Sequence, residues 1–422
     1  MMSVQVLSRE TIKPSTPTPP HLKFLELSFL DQCLPNYRIN FLIFYSAGHS
    51  NGIPEISHHL RSSLSDVLTR FYPLAGRLKK HHPSSDKIYV ECNDEGVEFT
   101  TARVERDLDS FLANPPFNEL HRLFPAGGSS ISSYDQLPLS VQFNEFTPGG
   151  GWALGVSMSH KLADGTSYAE FLKAWADTAR ARGVPARPKF ESAALFPPRD
   201  VAPEIEFIPV VPSIIAPARL LIRARQLEKL RGAAYARERA RPTRVEAVIA
   251  LLWRCAMRAA CGEARGRRPE AAVPVNLRPW LRPPLTEDYF GNVFAMVYAS
   301  GVGWEGAEEH EQGFLEERLR EAIRGLNGEA REELRTAVAV AEGVERYLFT
   351  NLSSFPFYET DFGWGGPAWV AMPPYVMKNW FVLMKARGGD GFEVWAFLTE
   401  AEMERFAKDP ELLAFTSSPS SL

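Results

Sequence analysis

Eight prolines fall between Arg182 and Pro217, at Pro185, Pro188, Pro197, Pro198, Pro203, Pro209, Pro212 and Pro217, and this run constrains the fold more tightly than any other feature. Each proline removes a backbone donor and fixes φ, so the stretch supports neither a long helix nor a central strand. It falls near the middle of 422 residues, a length already too great for one comfortable core. Two domains are expected: residues 1–199, a crossover linker at 200–217, and residues 218–422.

Short apolar strands and amphipathic helices succeed one another in the first half. Phe41 to Tyr45 reads as a buried strand; Ile56, Leu60, Leu64, Leu68 and Phe71 then recur at helical spacing, with Pro73 ending that helix. Strands are expected again at Ile88 to Glu91, Val97 to Ala102, Ser140 to Phe146 and Trp152 to Ser159. The last runs straight into His160, and the helix beyond it carries Tyr168, Phe171, Leu172, Trp175 and Ala176 on one face. The fold class is therefore mixed α/β. From Ala218 to Arg346 the chain turns rich in Ala, Arg and Glu, which predicts exposed helices. The aromatics Phe41, Tyr45, Phe290 and Phe381 are expected in the core.

A formal net charge of -4 and a pI near 6.2 leave no footprint for nucleic acid, and no apolar run is long enough to span a bilayer. Met1 to Pro20 is polar, without the apolar segment of a secretory signal, so a cytoplasmic location is expected. Cys33, Cys92, Cys255 and Cys261 are few and scattered, which predicts neither a disulfide framework nor a metal site.

Chemistry concentrates in His160-Lys161-Leu162-Ala163-Asp164-Gly165. By spacing alone this is equally a junction histidine followed by an aspartate that caps the next helix. Two metal ligands on one helical face would need a third ligand, and none is near. Thr243-Arg244 opens another predicted helix, Val245 to Arg258, where the pair could hold the phosphates of an anionic ligand or Thr243 could simply cap. Asp361-Phe362-Gly363-Trp364-Gly365-Gly366-Pro367 lacks the lysine and following helix of a phosphate loop, so Asp361 is expected to fix backbone and arginine partners in a structural bend.

Five collinear segments together resemble the BAHD superfamily of plant acyl-CoA-dependent acyltransferases: Leu27-Ser28-Phe29-Leu30-Asp31, Phe71-Tyr72-Pro73-Leu74-Ala75-Gly76-Arg77, Ser159 to Gly165, Val275-Asn276-Leu277-Arg278, and Asp361 to Gly365. The Ser15 to Pro19 opening and Ser159-His160-Lys161 are most similar to its alkaloid acetyltransferase branch. The resemblance implies two similar-sized mixed-sheet domains of chloramphenicol acetyltransferase type, with a channel at their interface. It implies acyl-CoA, here acetyl-CoA, as co-substrate, a small-molecule alcohol as acceptor, and a monomer.

In that setting His160 is the general base that takes the acceptor's proton as its oxygen attacks the thioester, with no acyl-enzyme. Asp164 is implied to support the site through an ion pair with Arg278, and Gly165 either leaves space beside His160 or is an ordinary junction glycine. Relatives carry Thr-Ser-Trp where this chain reads Thr350-Asn351-Leu352, which leaves Thr350 as the remaining oxyanion or acceptor donor. Other readings stay open: an inactive fold relative that only binds, an N-acyltransferase, or a hydrolase using Ser157 or Ser159. The last lacks a glycine-flanked nucleophile elbow.

Overall fold

The computed structural model describes residues 2–46, 52–125, 137–181, 186–200, 215–235, 241–260, 266–301, 314–325, 343–375 and 377–417. No described helix is long and apolar enough to cross a membrane. The chain forms two compact units, each assembled from three segments. The first is Met1–Glu204 with Leu285–Val293 and Pro356–Pro374; the second is Ile205–Pro284 with Phe294–Phe355 and Tyr375–Leu422. This departs from the contiguous division expected at residues 199 and 218, because two later segments pack with the first unit and bring the Asp361 motif with them. Composition is blind to such short returns, which hydrogen bonds to distant residues decide. Most of the expected crossover at 200–217 lies outside the described residues, as does Cys261.

In the first unit a six-stranded sheet runs β1 (Val4–Ile12), β6 (Val97–Glu105), β7 (Leu139–Thr147), β8 (Trp152–Ser159), β3 (Arg38–Tyr45) and β13 (Trp369–Ala371). Only β6 and β7 pair in parallel. A smaller sheet orders β2 (Phe24–Glu26), β5 (Ile88–Glu91) and β4 (Arg77–Lys80). Helices α1 (Phe29–Gln32), α2 (Ile53–Leu68), α3 (Leu108–Ala113), α4 (Gly165–Ala179) and α5 (Ser192–Leu195) complete it. The α2 helix begins and ends earlier than its apolar spacing predicts. Pro54 is tolerated in its first turn, while Pro73 disfavours helical geometry just before it and the chain passes into a 3-10 turn at Tyr72–Ala75. Every residue of β8 is buried, so the strand that delivers His160 is held on both faces.

The second unit's sheet runs β11 (Phe294–Ser300), β10 (Arg268–Asn276), β12 (Val344–Asn351), β14 (Trp380–Lys385), β15 (Gly391–Thr399) and β9 (Ile215–Arg223), with β10, β12 and β14 parallel. Helices α6 (Ala224–Tyr235), α7 (Arg244–Ala259), α8 (Phe314–Arg324), α9 (Glu400–Phe406) and α10 (Pro410–Phe415) belong to it. The expectation of exposed helices from Ala218 to Arg346 is corrected here. The span contains strands β9, β10 and β11, and α7 is buried along nearly its whole length. Alanine's helix propensity is a weak prior, and its small side chain equally lets a helix pack closely inside a core, as Ala247, Ala250 and Ala256 do in the buried cluster of the second unit. Phe41, Tyr45, Phe290 and Phe381 are all core residues, as expected.

Cys33, Cys92 and Cys255 are buried free thiols. Cys255, Asp409 and Glu411 bring ligand-type atoms within 4.8 Å of one another. Both carboxylates are already committed, Asp409 to Arg258 Nε at 2.8 Å and Glu411 to Arg254 Nη2 at 2.8 Å, so guanidinium groups supply the positive charge. Burial also pushes the Cys255 thiol far up in pKa, away from the thiolate a metal needs.

Candidate active site

His160 follows the last residue of β8. Its backbone N–H donates to the Tyr37 carbonyl at 2.9 Å, and the Tyr37 ring meets the imidazole edge-on at 4.8 Å. The side chain is part-buried, and Nδ1 lies 3.1 Å from Asn292 Oδ1. The amide's orientation follows from its other neighbours. Asn292 Nδ2 sits 2.7 Å from the His160 carbonyl and 2.7 Å from Asp31 Oδ1, both acceptors, so the nitrogen must face them. Oδ1 is then turned to the ring, and Nδ1 must carry the proton. In the neutral imidazole this makes Nε2 the basic nitrogen.

Burial pushes the His160 pKa below its ordinary 6.5, opposed by its own carbonyl, by the charge of Asp164 and by Asn292, and reinforced by Lys161. The ring is thereby kept neutral at physiological pH, the state a general base needs.

Segment 291–293 is held by three successive backbone N–H groups. Gly291 N donates to Ser167 Oγ at 3.0 Å, Asn292 N to Asp31 Oδ1 at 2.9 Å, and Val293 N to Asp164 Oδ2 at 3.1 Å. Gly291 has φ +136°, and a Cβ there would come within 2.7 Å of Ser192 Oγ, so glycine is required for this approach. Asp164 therefore has two jobs. Its Oδ1 caps α4 by accepting from Ser167 N at 2.8 Å, and its Oδ2 secures the segment that carries Asn292. Gly165 is the first residue of α4.

Asp361 Oδ1 accepts from Gly363 N and Gly365 N, each at 2.8 Å, and Oδ2 pairs with Arg180 at 3.4 Å. Arg180 is the C-cap of α4, so this bend ties down the far end of the helix whose N-terminus follows His160. Arg278 is buried in the second unit, where its backbone N and Nη1 donate to Asn276 Oδ1. Thr350, near the end of β12, accepts at Oγ1 from Trp380 Nε1 at 2.9 Å. Position 352 carries a buried leucine, and the indole in contact with Thr350 is that of Trp380 on β14.

The Thr243-Arg244 pair is arranged for capping. Thr243 Oγ1 accepts from Glu246 N at 3.2 Å, and Glu246 Oε2 accepts from Thr243 N at 2.8 Å. Both bonds of a capping box are thus present at the α7 N-terminus, and the Glu246 carboxylate is paired with Arg320 at 2.7 Å. Ser157 Oγ accepts from Arg38 Nε at 2.6 Å, and Ser159 Oγ is buried without a hydrogen-bond partner among the described residues. Neither serine is paired with His160 as a nucleophile must be. Two cavities of the first unit, about 700 Å³ beside His58, His59 and Trp364 and about 390 Å³ beside Arg70, Phe71 and Phe290, do not include His160 in their lining.

Asn292 is the site residue that sequence reasoning missed. Its neighbour Phe290 drew attention only as an aromatic. Asp31 was noted solely within a motif, although Ser28-x-x-Asp31 carries the spacing of a capping box.

Residues 2–413 match the model of the Transferase family. Stemmadenine O-acetyltransferase of Catharanthus roseus is 34% identical over 420 residues, covering 96% of both chains. Vinorine synthase of Rauvolfia serpentina is 34% identical over 410 residues, covering 95% of both. The crystal structure of vinorine synthase superimposes with a TM-score of 0.85 at 31% identity, covering 100% of each chain. F. sporotrichioides TRI101 complexed with Coenzyme A and T-2 has the same fold, with a TM-score of 0.74 at 19% identity over 93% of this chain and 99% of that one.

Proposed function

This chain belongs to the Transferase family, the BAHD acyltransferases, and on that premise we propose that it moves an acetyl group from acetyl-CoA to a hydroxyl of an alkaloid-type plant metabolite, with His160 as general base. The observation that carries the base assignment is the contact between His160 Nδ1 and Asn292 Oδ1 at 3.1 Å, which leaves Nε2 as the basic nitrogen. The names of similar proteins, Stemmadenine O-acetyltransferase and Salutaridinol 7-O-acetyltransferase beside limonoid 21-O-acetyltransferases, support transfer of acetyl to oxygen, with an alkaloid or terpenoid hydroxyl as its destination.

A neutral alcohol attacks a thioester slowly until a base removes its proton as the new bond forms. In the proposed reaction Nε2 takes that proton, the acceptor oxygen bonds to the thioester carbon, and a tetrahedral oxyanion forms. Collapse breaks the carbon–sulfur bond, and the proton held on Nε2 passes to the departing thiolate. Atoms and charge balance without an acyl-enzyme. Asn292 Oδ1 accepts from Nδ1 throughout and favours the transient imidazolium. Thr350 is the proposed oxyanion donor: because its Oγ1 accepts from Trp380, its own hydroxyl hydrogen is available to donate.

The test is thiol release from acetyl-CoA with a panel of alkaloid, terpenoid and phenolic alcohols, with mass spectrometry of the products. His160→Ala is expected to lower acceptor-dependent turnover by roughly 10² to 10⁴-fold while leaving coenzyme A binding near wild type. Wild-type release no faster than that of His160→Ala, with no acylated product, would overturn the reading.

A further inference from the structure

We propose that Asp31 is a positioning residue for His160, acting through the side-chain amide of Asn292. This rests on the reading of His160 as base.

The Asp31 carboxylate is fully enclosed, and all four of its contacts are with donors. Oδ2 accepts from Ser28 N at 2.8 Å and Ser28 Oγ at 2.6 Å; Oδ1 accepts from Asn292 N at 2.9 Å and Asn292 Nδ2 at 2.7 Å. Closing the capping box of the four-residue α1, in which Ser28 is the N-cap and Asp31 the N3 residue, does not require a buried charge, since a neutral amide side chain also serves at N3. Burial raises the Asp31 pKa, against the four hydrogen bonds that lower it. A carboxyl proton would face a backbone N–H on either oxygen, so the geometry suits the ionised form.

What an acceptor-only group provides is direction. With Oδ1 of Asp31 fixed on both the backbone and the side-chain nitrogen of Asn292, the amide cannot turn over, and its oxygen remains on His160 Nδ1. The chain of contacts runs from the α1 capping box to the imidazole through one amide. An amide at position 31 would have to turn its NH₂ toward Ser28 or toward Asn292, in either case against an existing N–H donor.

The experiment compares Asp31→Asn in the wild-type and Asn292→Ala backgrounds, using acceptor turnover and the ¹⁵N resonances of the His160 ring. In the wild-type background Asp31→Asn is expected to lower kcat roughly 10 to 100-fold, the range typical when the orienting partner of a metal-bound histidine is lost, taken here for a base held in the same way. The acyl-CoA KM should stay within about twofold, and part of the ring population should move from the Nδ1–H to the Nε2–H tautomer. In the Asn292→Ala background the same substitution should add no further loss. Losses that multiply independently, or an unchanged tautomer with unchanged kcat in folded Asp31→Asn, would overturn the proposal. Should Asp31→Asn not fold, the ¹³C titration of wild-type Asp31 decides instead: an ionised carboxylate across the active pH range supports the proposal, and a protonated one overturns it. The ring tautomer is read without turnover, so His160→Ala that keeps full activity would refute the base while leaving the Asp31 effect measurable.

Discussion

At the level of single residues the site is built on hydrogen-bond direction. His160 was legible in the sequence because a strand, a histidine and a helix meet there in one short motif. Asn292 was not, because 132 residues separate the pair and no local pattern marks an amide as a tautomer-fixing group. Asp164 is expected to support the site through Arg278; among its contacts are the α4 cap to Ser167 N and the bond from Val293 N. The sequence at Thr243 suits anion binding and capping alike, and in the structure Thr243 and Glu246 form both bonds of a capping box. The direction of the His160 shift makes a kinetic prediction. A base whose pKa is lowered below 6.5 stays neutral to correspondingly lower pH, so the acid limb of the kcat/KM profile should fall below 6.5. A limb centred above 6.5 would mean that burial does not govern this ring, and a profile of wild type with a good acceptor reads it directly.

Among the elements, α4 connects the motifs that the sequence presented as separate. Its N-terminus is capped by Asp164 just beyond His160, its Tyr168 hydroxyl donates to the Val156 carbonyl of β8 at 2.9 Å, and its C-cap Arg180 pairs with Asp361. Sequence periodicity reveals this helix because its apolar face is continuous, from Tyr168 through Trp175. Periodicity failed across Ala218 to Arg346 because alanine-rich strands and a buried helix share the composition of exposed helices. The two ends of α4 are expected to differ in their sensitivity. Asp164→Ala removes a cap and leaves Val293 N–H buried without its acceptor, a loss of roughly 2 to 4 kcal/mol. Asp361→Ala breaks a more exposed ion pair and two turn bonds, and should cost about 1 kcal/mol or less from the pair itself. Denaturant unfolding of the two variants, with m-values compared, tests this order; equal losses would contradict it.

For the whole molecule, two mixed-sheet units were expected and are present, while their boundaries differ because segments 285–293 and 356–374 return to the first unit. One of those returns carries Asn292 and the other Asp361, so the discontinuity that composition could not show is also what completes the surroundings of His160 and α4. The central claim for the molecule is direct transfer with His160 as base. Rapid mixing of the enzyme with labelled acetyl-CoA, with and without an acceptor, followed by quenching and intact-protein mass spectrometry, tests it most directly. Direct transfer gives no burst of thiol and no acetylated protein until acceptor is added, then product formation that depends on both substrates together. A stoichiometric burst of thiol without acceptor, with the label retained on the protein, would contradict it.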